Sequence, residues 1–355
     1  MSLSLKSLVR LLAFSALVSV FLTRLFLLLR LDNYAENFVV SDSLLDGRPH
    51  WQGFQNRVLG PLIQHAIEIS GGLLGAMHSQ SAAYDIYIFV ALTGVVFCYA
   101  LAATARFAGT AERIACFSGI LLCYILTQDR RWLYPWDPLD AMVFSILYVL
   151  ILKRRPLLDY WLLFVVAIAN RETAMGIGLW LLIDSVDWRR DPAAANGPRR
   201  LRISAAKAAS GLAMMAIGKI LVDYLRTTLF KSNYDLLHSG AVLHKSAGNE
   251  SALSVNFHTV MTSMFFVNIL YFPVLVFIVL TLSLYAYRFA NFRKIPIYDV
   301  KILTIGIALV AAFITFSLID EIRAMNYAIP FIVHAALIGV KRTENNQSTQ
   351  VISIL

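Results

Sequence analysis

The stretch LLDYWLLFVVAIANRETAMGIGLWLLI, residues 157–183, is almost entirely apolar but carries Asn170, Arg171 and Glu172 near its centre. As one helix it is long enough to cross a membrane. The charged pair would then lie in the hydrocarbon, where each group costs about 3 kcal/mol on insertion scales. As two helices joined at NRET, the same stretch would place the charged pair at the tip of a hairpin.

The basic segments on either side decide between these alternatives. KRR (153–155) precedes the stretch and WRRDPAAANGPRRLR (188–202) follows it. A single span would put one of them outside, although Lys and Arg favour short cytoplasmic loops. We therefore predict a helical hairpin with NRET at its outward tip. We expect Asn170 to cap the second helix and the helix dipole to favour Glu172.

The composition of the whole chain is also that of a membrane protein. Hydrophobic residues make up 58% of the sequence and charged residues 15%, with a mean hydropathy of +0.66, which excludes an ordinary soluble domain. No alternating ten-residue strands of a β-barrel are present. The sequence predicts an all-α polytopic membrane protein with about ten transmembrane helices. The predicted spans are residues 8–29, 83–105, 112–127, 139–152, 157–170, 173–186, 204–222, 263–287, 302–318 and 326–340.

We predict one transmembrane domain, residues 1–345, with both termini cytoplasmic, followed by a short tail, 346–355. The connecting segments include a first outer loop (30–82), a basic inner loop (187–203) and a second outer loop (223–262). The second outer loop is either a mobile lid or a solvated connection. The net charge of +9 lies in short loops beside the spans. That distribution is typical of loops that set the membrane topology and lie beside anionic lipid headgroups. It does not indicate nucleic-acid binding.

Within the first outer loop, residues 58–69 have near-helical apolar spacing. Val58, Leu62 and Ile69 recur on one side, with Gln64 and Glu68 opposite. This pattern predicts an amphipathic helix on the outer surface.

Four segments distant in sequence bring arginines, carboxylates or both to the predicted outer face. They are the first outer loop, QDRRWLYPWDPLDAM (128–142), NRET (170–173) and IDEIRAMNYAIPF (319–331). Each could hold structural ion pairs, Asp137 could be a helix cap, and Trp136 could be an interfacial anchor. Together they indicate a phosphate site, since arginine forks bind phosphate bidentately and carboxylates accept protons. No Walker A loop or GxGxxG motif indicates a nucleotide.

The motifs FQNRVLGPL (54–62), YPWDPLD (134–140), NRET (170–173) and EIRAMNYAIP (321–330) carry a family resemblance. The chain resembles bacterial polytopic membrane glycosyltransferases of the C-type (GT-C) fold, which are tied to cell-surface glycopolymer formation. The resemblance implies a polyprenyl-phosphate sugar donor, a glycan or lipid acceptor, and inverting transfer at the outer face of the bacterial inner membrane. We expect no metal site and no cofactor, although a divalent cation is compatible with the carboxylates.

The resemblance also implies roles for individual residues. The general base is expected among the acidic residues of the first outer loop, Asp32, Asp42 and Asp46, with Asp32 favoured because it directly follows the first span. The donor phosphate is expected to bind Arg57, Arg171 and Arg323. The residues expected to orient these arginines or contact the acceptor are Gln55, Asp137, Asp140, Asn170, Glu172 and Glu321.

Two other functions fit the composition. The chain could be a transporter or flippase of a lipid-linked or anionic substrate, which predicts polar groups continuing to the cytoplasmic side. It could also be a non-catalytic membrane subunit of a polysaccharide assembly system, whose outer polar face binds a partner.

Overall fold

The computed structural model describes residues 4–28, 34–46, 57–73, 80–107, 109–126, 134, 136–190, 199–225, 272–292, 295–316 and 322–338, and most of them are helical. The α-helices are α1 (Leu5–Leu28), α2 (Tyr34–Leu45), α3 (Leu59–Leu73), α4 (Gln80–Arg106), α5 (Thr110–Leu126), α6 (Asp137–Leu152), α7 (Leu157–Ile168), α8 (Met175–Ser185), α9 (Ala205–Tyr224), α10 (Phe272–Ala290), α11 (Ile297–Phe316) and α12 (Ile329–Leu337). Two 3₁₀ segments, Glu172–Ala174 and Ile322–Tyr327, come before α8 and α12.

Four of the described helices, α1, α4, α9 and α11, are long and apolar enough to cross a membrane. The protein is therefore a predominantly helical membrane protein. The prediction of about ten spans is not matched by the helix lengths. Every predicted span overlaps a helix, but the remaining six are shorter, from nine residues in α12 to 19 in α10. A straight span needs about 20 residues, so length and hydropathy support four.

Along much of α1 the burial pattern is the reverse of that in a soluble protein. On α1, Ser15 and Ser19 are fully buried, whereas Leu17 and Phe21 are 62% and 70% exposed. Both buried hydroxyls donate to carbonyls one turn earlier, which satisfies them within the helix. Small and weakly polar residues facing helices, with apolar residues facing outward, are typical of helices whose solvent is lipid.

Helix α3 confirms the helix predicted in the first outer loop. Gln64 faces the protein, where its Oε1 accepts a hydrogen bond from Ser41 on α2 at 3.2 Å. Leu62 and Ile69, on the predicted apolar side, are about half exposed. The apolar side therefore faces outward here, as it does on α1.

The decisive stretch divides as predicted. Helix α7 ends at Ile168, the chain turns through Ala169–Arg171, and α8 begins at Met175. The capping prediction was wrong: Arg171 precedes the 3₁₀ segment Glu172–Ala174, and no side chain caps it. The predicted break is confirmed, and it brings Arg171 and Glu172 to the end of two helices.

Helix α8 packs closely against α9 through two glycines. A Cβ built on Gly178 would lie 2.7 Å from the carbonyl oxygen of Gly211, and one on Gly211 would lie 2.7 Å from that of Gly178. Only glycine permits this approach of two helix backbones.

We expect Gly178→Ala and Gly211→Ala each to destabilise the protein by about 1–3 kcal/mol, because the added methyl group must push the two backbones apart. The measurement is the midpoint of thermal unfolding in detergent. Gly119→Ala on α5 is the matched control, since its Cβ would meet only Val333 at 3.6 Å. Alanine there should be neutral or stabilising. Equal midpoints for all three variants would contradict the close packing.

The basic inner loop is not irregular throughout. Strands β1 (Val186–Arg190) and β2 (Arg199–Ile203) form an antiparallel two-stranded ribbon between α8 and α9. The sequence predicted a loop here because its arginines and the central DPAAANGP gave no strand signal. The ribbon is a small addition to a helical fold.

The core lies among α4, α6, α11 and α12, and it includes a network of buried polar side chains. Arg106 Nη2 lies 3.3 Å from Asp299 Oδ2, and His334 Nε2 lies 3.3 Å from Asp299 Oδ1. Tyr148 Oη lies 2.9 Å from His334 Nδ1. We call Arg106, Tyr148, Asp299 and His334 the buried quartet. Arg106 is buried at the end of α4.

Candidate functional site

The first half of the site is an ion pair between residues 115 positions apart. Arg57, just before α3, places Nη2 3.1 Å from Glu172 Oε1 in the 3₁₀ segment. The guanidinium carbon of Arg57 also lies 5.0 Å from the centre of the Trp136 ring. A cation over an aromatic face is held electrostatically, most strongly away from water. Arg57 is therefore fixed on both sides.

Trp136 is fully buried and stacks on Tyr134 with ring centroids 4.8 Å apart. The interpretation of Trp136 as an interfacial anchor was therefore wrong. Its carbonyl accepts a hydrogen bond from Asn170 Nδ2 at 3.2 Å. Asn170 thus ties the hairpin tip to the segment before α6. A second tie is the backbone hydrogen bond from Leu59 N to Ala169 O at 3.0 Å.

The second half of the site joins Arg171 to the first turn of α6. Arg171 Nη1 lies 3.4 Å from Asp137 Oδ1 and 3.7 Å from Asp140 Oδ2. The two aspartates are three residues apart, so they share one face of the helix. Thr173 Oγ1 donates to Asp140 Oδ1 at 2.7 Å. Asp137 is not the helix cap that was considered, because Trp136 precedes the helix and its side chain makes no capping bond.

Arg57, Asp137, Asp140, Arg171 and Glu172 form what we call the charge cluster. Three carboxylates face two guanidinium groups, which leaves one negative charge in excess when all are ionised. An arginine that keeps its proton in such surroundings acts as a fixed cation. The structure brings five of the sequence-predicted site residues into this one cluster, with Asn170 beside it.

Burial and charge act on the two arginines differently. Burial lowers the pKa of the Arg57 guanidinium, and the Glu172 carboxylate offsets part of that change. Burial also acts to lower the pKa of Arg171, but the carboxylates of Asp140, Asp137 and Glu172 outweigh it and raise that pKa above its ordinary value. Arg171 is thus the most firmly cationic group of the charge cluster.

Two buried polar atoms beside the cluster are unsatisfied within the described part of the chain. They are Nε of Arg171 and Oδ1 of Asn170. Arg171 is 8% exposed and Asn170 is 1% exposed. A buried donor or acceptor without a partner costs about 1–3 kcal/mol, so such atoms mark a place where a bound group can supply the missing hydrogen bond.

Asp42 and Asp46, two further predicted site residues, are not in the charge cluster. Asp42 and Asp46 are exposed, and the Asp42 carboxylate accepts from Gln80 Nε2 at 2.8 Å. Asp32, Gln55 and Glu321 lie outside the described residues, and so does the side chain of Arg323, whose backbone belongs to the 3₁₀ segment Ile322–Tyr327.

Sequence reasoning missed two contributors. Thr173 holds Asp140, and the buried Tyr327 lies near enough to Arg171 to interact electrostatically with it. Both belong to motifs already singled out, NRET and EIRAMNYAIP, but neither is charged. A search for polar residues within those motifs would have found them. Among the described residues, no group of three His, Cys, Asp or Glu side chains is placed to hold a metal.

The fold and the site together define the class of protein: a predominantly helical membrane protein with a buried charge cluster at one end of α6. Comparisons of the chain with protein-family models, with curated proteins and with solved structures give no match. The chemistry of the charge cluster is therefore the evidence that bears on function.

Proposed function

We propose that the chain is an inverting membrane glycosyltransferase that moves a sugar from a polyprenyl-phosphate donor to a cell-surface glycan or lipid acceptor. In this proposal the helices are arranged in a GT-C-like manner, with about ten of them embedded in the bacterial inner membrane and the charge cluster on the outward side. The short helices α7 and α8 would form an embedded hairpin that presents Arg171 at its tip.

The observation that carries the proposal is the convergence of Arg57 and Arg171 in one buried cluster from segments 114 residues apart in sequence. Arginine presents five donors in a planar fork that matches phosphate. The hydrogen bond from Arg171 to Asp137 uses Nη1, and the buried Nε of Arg171 has no partner in the described part of the chain. We assign this fork to the donor phosphate, with Arg57 and, through the resemblance, Arg323 beside it.

The proposed step is a displacement at the anomeric carbon. The acceptor hydroxyl oxygen forms a bond to that carbon while its proton passes to a carboxylate. The bond to the phosphate oxygen breaks, and polyprenyl phosphate leaves with the electron pair. Guanidinium groups already in place stabilise the charge that grows on the leaving phosphate.

Two carboxylates are proposed for the base. Asp32 is the choice that the resemblance implies. Asp140 is the alternative from the charge cluster. The cluster has three carboxylates and two arginines, so one carboxylate is in excess. The hydrogen bond from Thr173 fixes one Asp140 oxygen and leaves Oδ2 toward Arg171.

The test is transfer by the full-length protein in liposomes supplied with polyprenyl-phosphate hexoses and pentoses and with a mixture of envelope glycolipids. We expect polyprenyl phosphate to be released in step with a new glycosidic bond. No release with any donor of the panel, from protein that elutes as a single folded species, would overturn the proposal.

We expect either Asp32→Asn or Asp140→Asn to lower the transfer rate by about 100-fold or more, the usual effect of removing a general base. Asparagine at position 140 keeps the shape of the side chain and can still accept from Thr173. Asp159→Asn is the matched control, because Asp159 pairs with the exposed Arg155 at the opposite end of α7. Unchanged rates in both test variants would contradict a carboxylate base at these positions.

One observation favours the transporter alternative, because buried polar groups also occur far from the charge cluster. The buried quartet includes Tyr148, eight residues further along α6 than Asp140, or about 12 Å of helix. Between them α6 buries the apolar Ala141, Phe144 and Leu147. It also buries Ser145, whose hydroxyl donates to the Ala141 carbonyl at 2.7 Å. Movement of a lipid-linked sugar across sealed vesicles without polyprenyl-phosphate release would favour transport over transfer.

A further inference from the structure

The two-stranded ribbon between α8 and α9 has an unusual charge. Its ten paired residues read VDWRR in β1 and RRLRI in β2. Five of them are arginine and one is aspartate, so the paired strands carry four net positive charges. The remaining four residues are apolar. No part of the proposed transfer chemistry uses this segment.

The register sorts these residues onto two faces, because alternate positions along a strand belong to opposite faces and directly paired residues share one. Val186 pairs with Ile203 and Trp188 with Leu201, which gives one face two apolar pairs. The other face holds the pairs Asp187–Arg202 and Arg189–Arg200. The fifth pair, Arg190–Arg199, belongs to the same face as the two apolar pairs, at the tip of the ribbon. The ribbon therefore has apolar pairs toward its base on one face, and arginine pairs on the other face and at its tip.

Two of the five pairs join like charges. Arg189 is opposite Arg200, and Arg190 is opposite Arg199 at the end of the ribbon away from the helices. Like charges directly opposite each other destabilise a strand pair. An anion that binds both members of a pair would remove that repulsion.

The attachment of the ribbon fixes where it lies relative to the membrane. β1 begins directly after α8, and β2 ends two residues before α9, which is one of the four helices able to cross a membrane. Ser204 N donates to Ser185 O at 2.8 Å and closes the base of the ribbon. A ribbon tied to the end of a spanning helix lies at the level of the lipid headgroups.

The nearest described acidic residue on the adjoining helices is already occupied. The Asp184 carboxylate at the end of α8 is paired with Lys207 of α9 and with Lys301 of α11, whose Nζ lies 3.2 Å from Oδ1. This link holds the base of the ribbon to α11. It also adds one net positive charge beside the ribbon. At the same place Ile203, a member of one of the two apolar pairs, is 62% exposed.

We propose that the ribbon β1–β2 is a binding site for anionic phospholipid in the leaflet at this end of the bundle, which is the cytoplasmic leaflet in the topology predicted from the sequence. The apolar pairs enter the interface, where Trp is favoured, and the arginines bind headgroup phosphates. The two apolar pairs at the base of the ribbon and its attachment to a span favour lipid over a soluble polyanion. This proposal does not depend on the proposed transfer reaction.

The test uses the full-length protein in neutral detergent, titrated with phosphatidylglycerol or phosphatidylcholine and observed by native mass spectrometry. We expect tighter binding of phosphatidylglycerol. Arg189→Gln with Arg200→Gln removes one cross-strand pair and should weaken that binding about 25-fold, or about fivefold for each basic residue near the surface. Arg189→Lys with Arg200→Lys keeps the charge and should keep most of the affinity.

The matched control is Arg155→Gln with Lys219→Gln, which removes the same two charges from exposed residues that each pair with an acid four positions later. It should leave phosphatidylglycerol affinity within about twofold of the wild type, since neither charge belongs to the ribbon. Equal losses in the Gln variant and the control would overturn the proposal, as would equal affinity for the two lipids. Displacement of the lipid by a short oligonucleotide at comparable concentration would also overturn it, because the site would then be one for polyanions in general.

Discussion

Arg171→Ala is expected to lower the rate of sugar transfer by about 100-fold or more, the range found when a donor to developing charge is removed. Arg171 is a buried cation of the charge cluster, 8% exposed. Its Nε has no partner among the described residues. If that nitrogen binds the leaving phosphate, its loss acts on the transition state and lowers kcat more than it raises KM for the donor.

Arg171 also neutralises Asp137 and Asp140, so its removal affects stability as well. Arg171→Lys separates the two roles, because lysine keeps the positive charge but loses the fork that grips phosphate through two parallel bonds. We expect this variant to fold with a nearly unchanged unfolding midpoint and to remain slow in transfer. Arg155→Ala, at the exposed Arg155–Asp159 pair, is the control of equal charge change. Full transfer activity in Arg171→Lys would contradict a phosphate fork and leave only a structural ion pair.

Much of the charge cluster was predictable because charges inside apolar sequence are rare and need a reason. The break at Arg171 followed from the basic loops on both sides, and the structure divides the stretch there. Arg57, Asp137 and Glu172 were predicted as site residues from their place in polar segments between apolar ones. Which carboxylate pairs with which arginine was not predictable, because that depends on helix rotation and not on order along the chain.

The wrong predictions rested on average residue preferences, and the surroundings of each residue overrode them. Trp136 was assigned to the membrane interface because tryptophan is enriched there. The structure instead buries its ring beside the guanidinium group of Arg57. The ribbon has arginine at half of its paired positions, and arginine has no strand preference that would have predicted it.

The buried quartet could not be read from sequence, since its members lie on four helices and none belongs to a motif. Breaking it is nevertheless expected to have a large effect on stability. Asp299→Ala is expected to destabilise the protein by about 3–5 kcal/mol, the cost of leaving one partner of a buried ion pair uncompensated. Arg106 is 3% exposed and loses its carboxylate, while His334 loses the same partner at 3.3 Å. The measurement is the midpoint of thermal unfolding in detergent.

Two further variants separate the loss of charge pairing from the loss of packing. Asp159→Ala removes the partner of the exposed Arg155 and should cost less than about 1 kcal/mol. Arg106→Met with Asp299→Leu replaces both buried charges by apolar groups of similar size and should recover most of the stability, because neither charge is then left without its partner. If the double variant is as unstable as Asp299→Ala, the quartet stabilises the fold through His334 and Tyr148 instead of through the ion pair. If Asp299→Ala is no less stable than Asp159→Ala, Arg106 is not a buried charge that depends on Asp299.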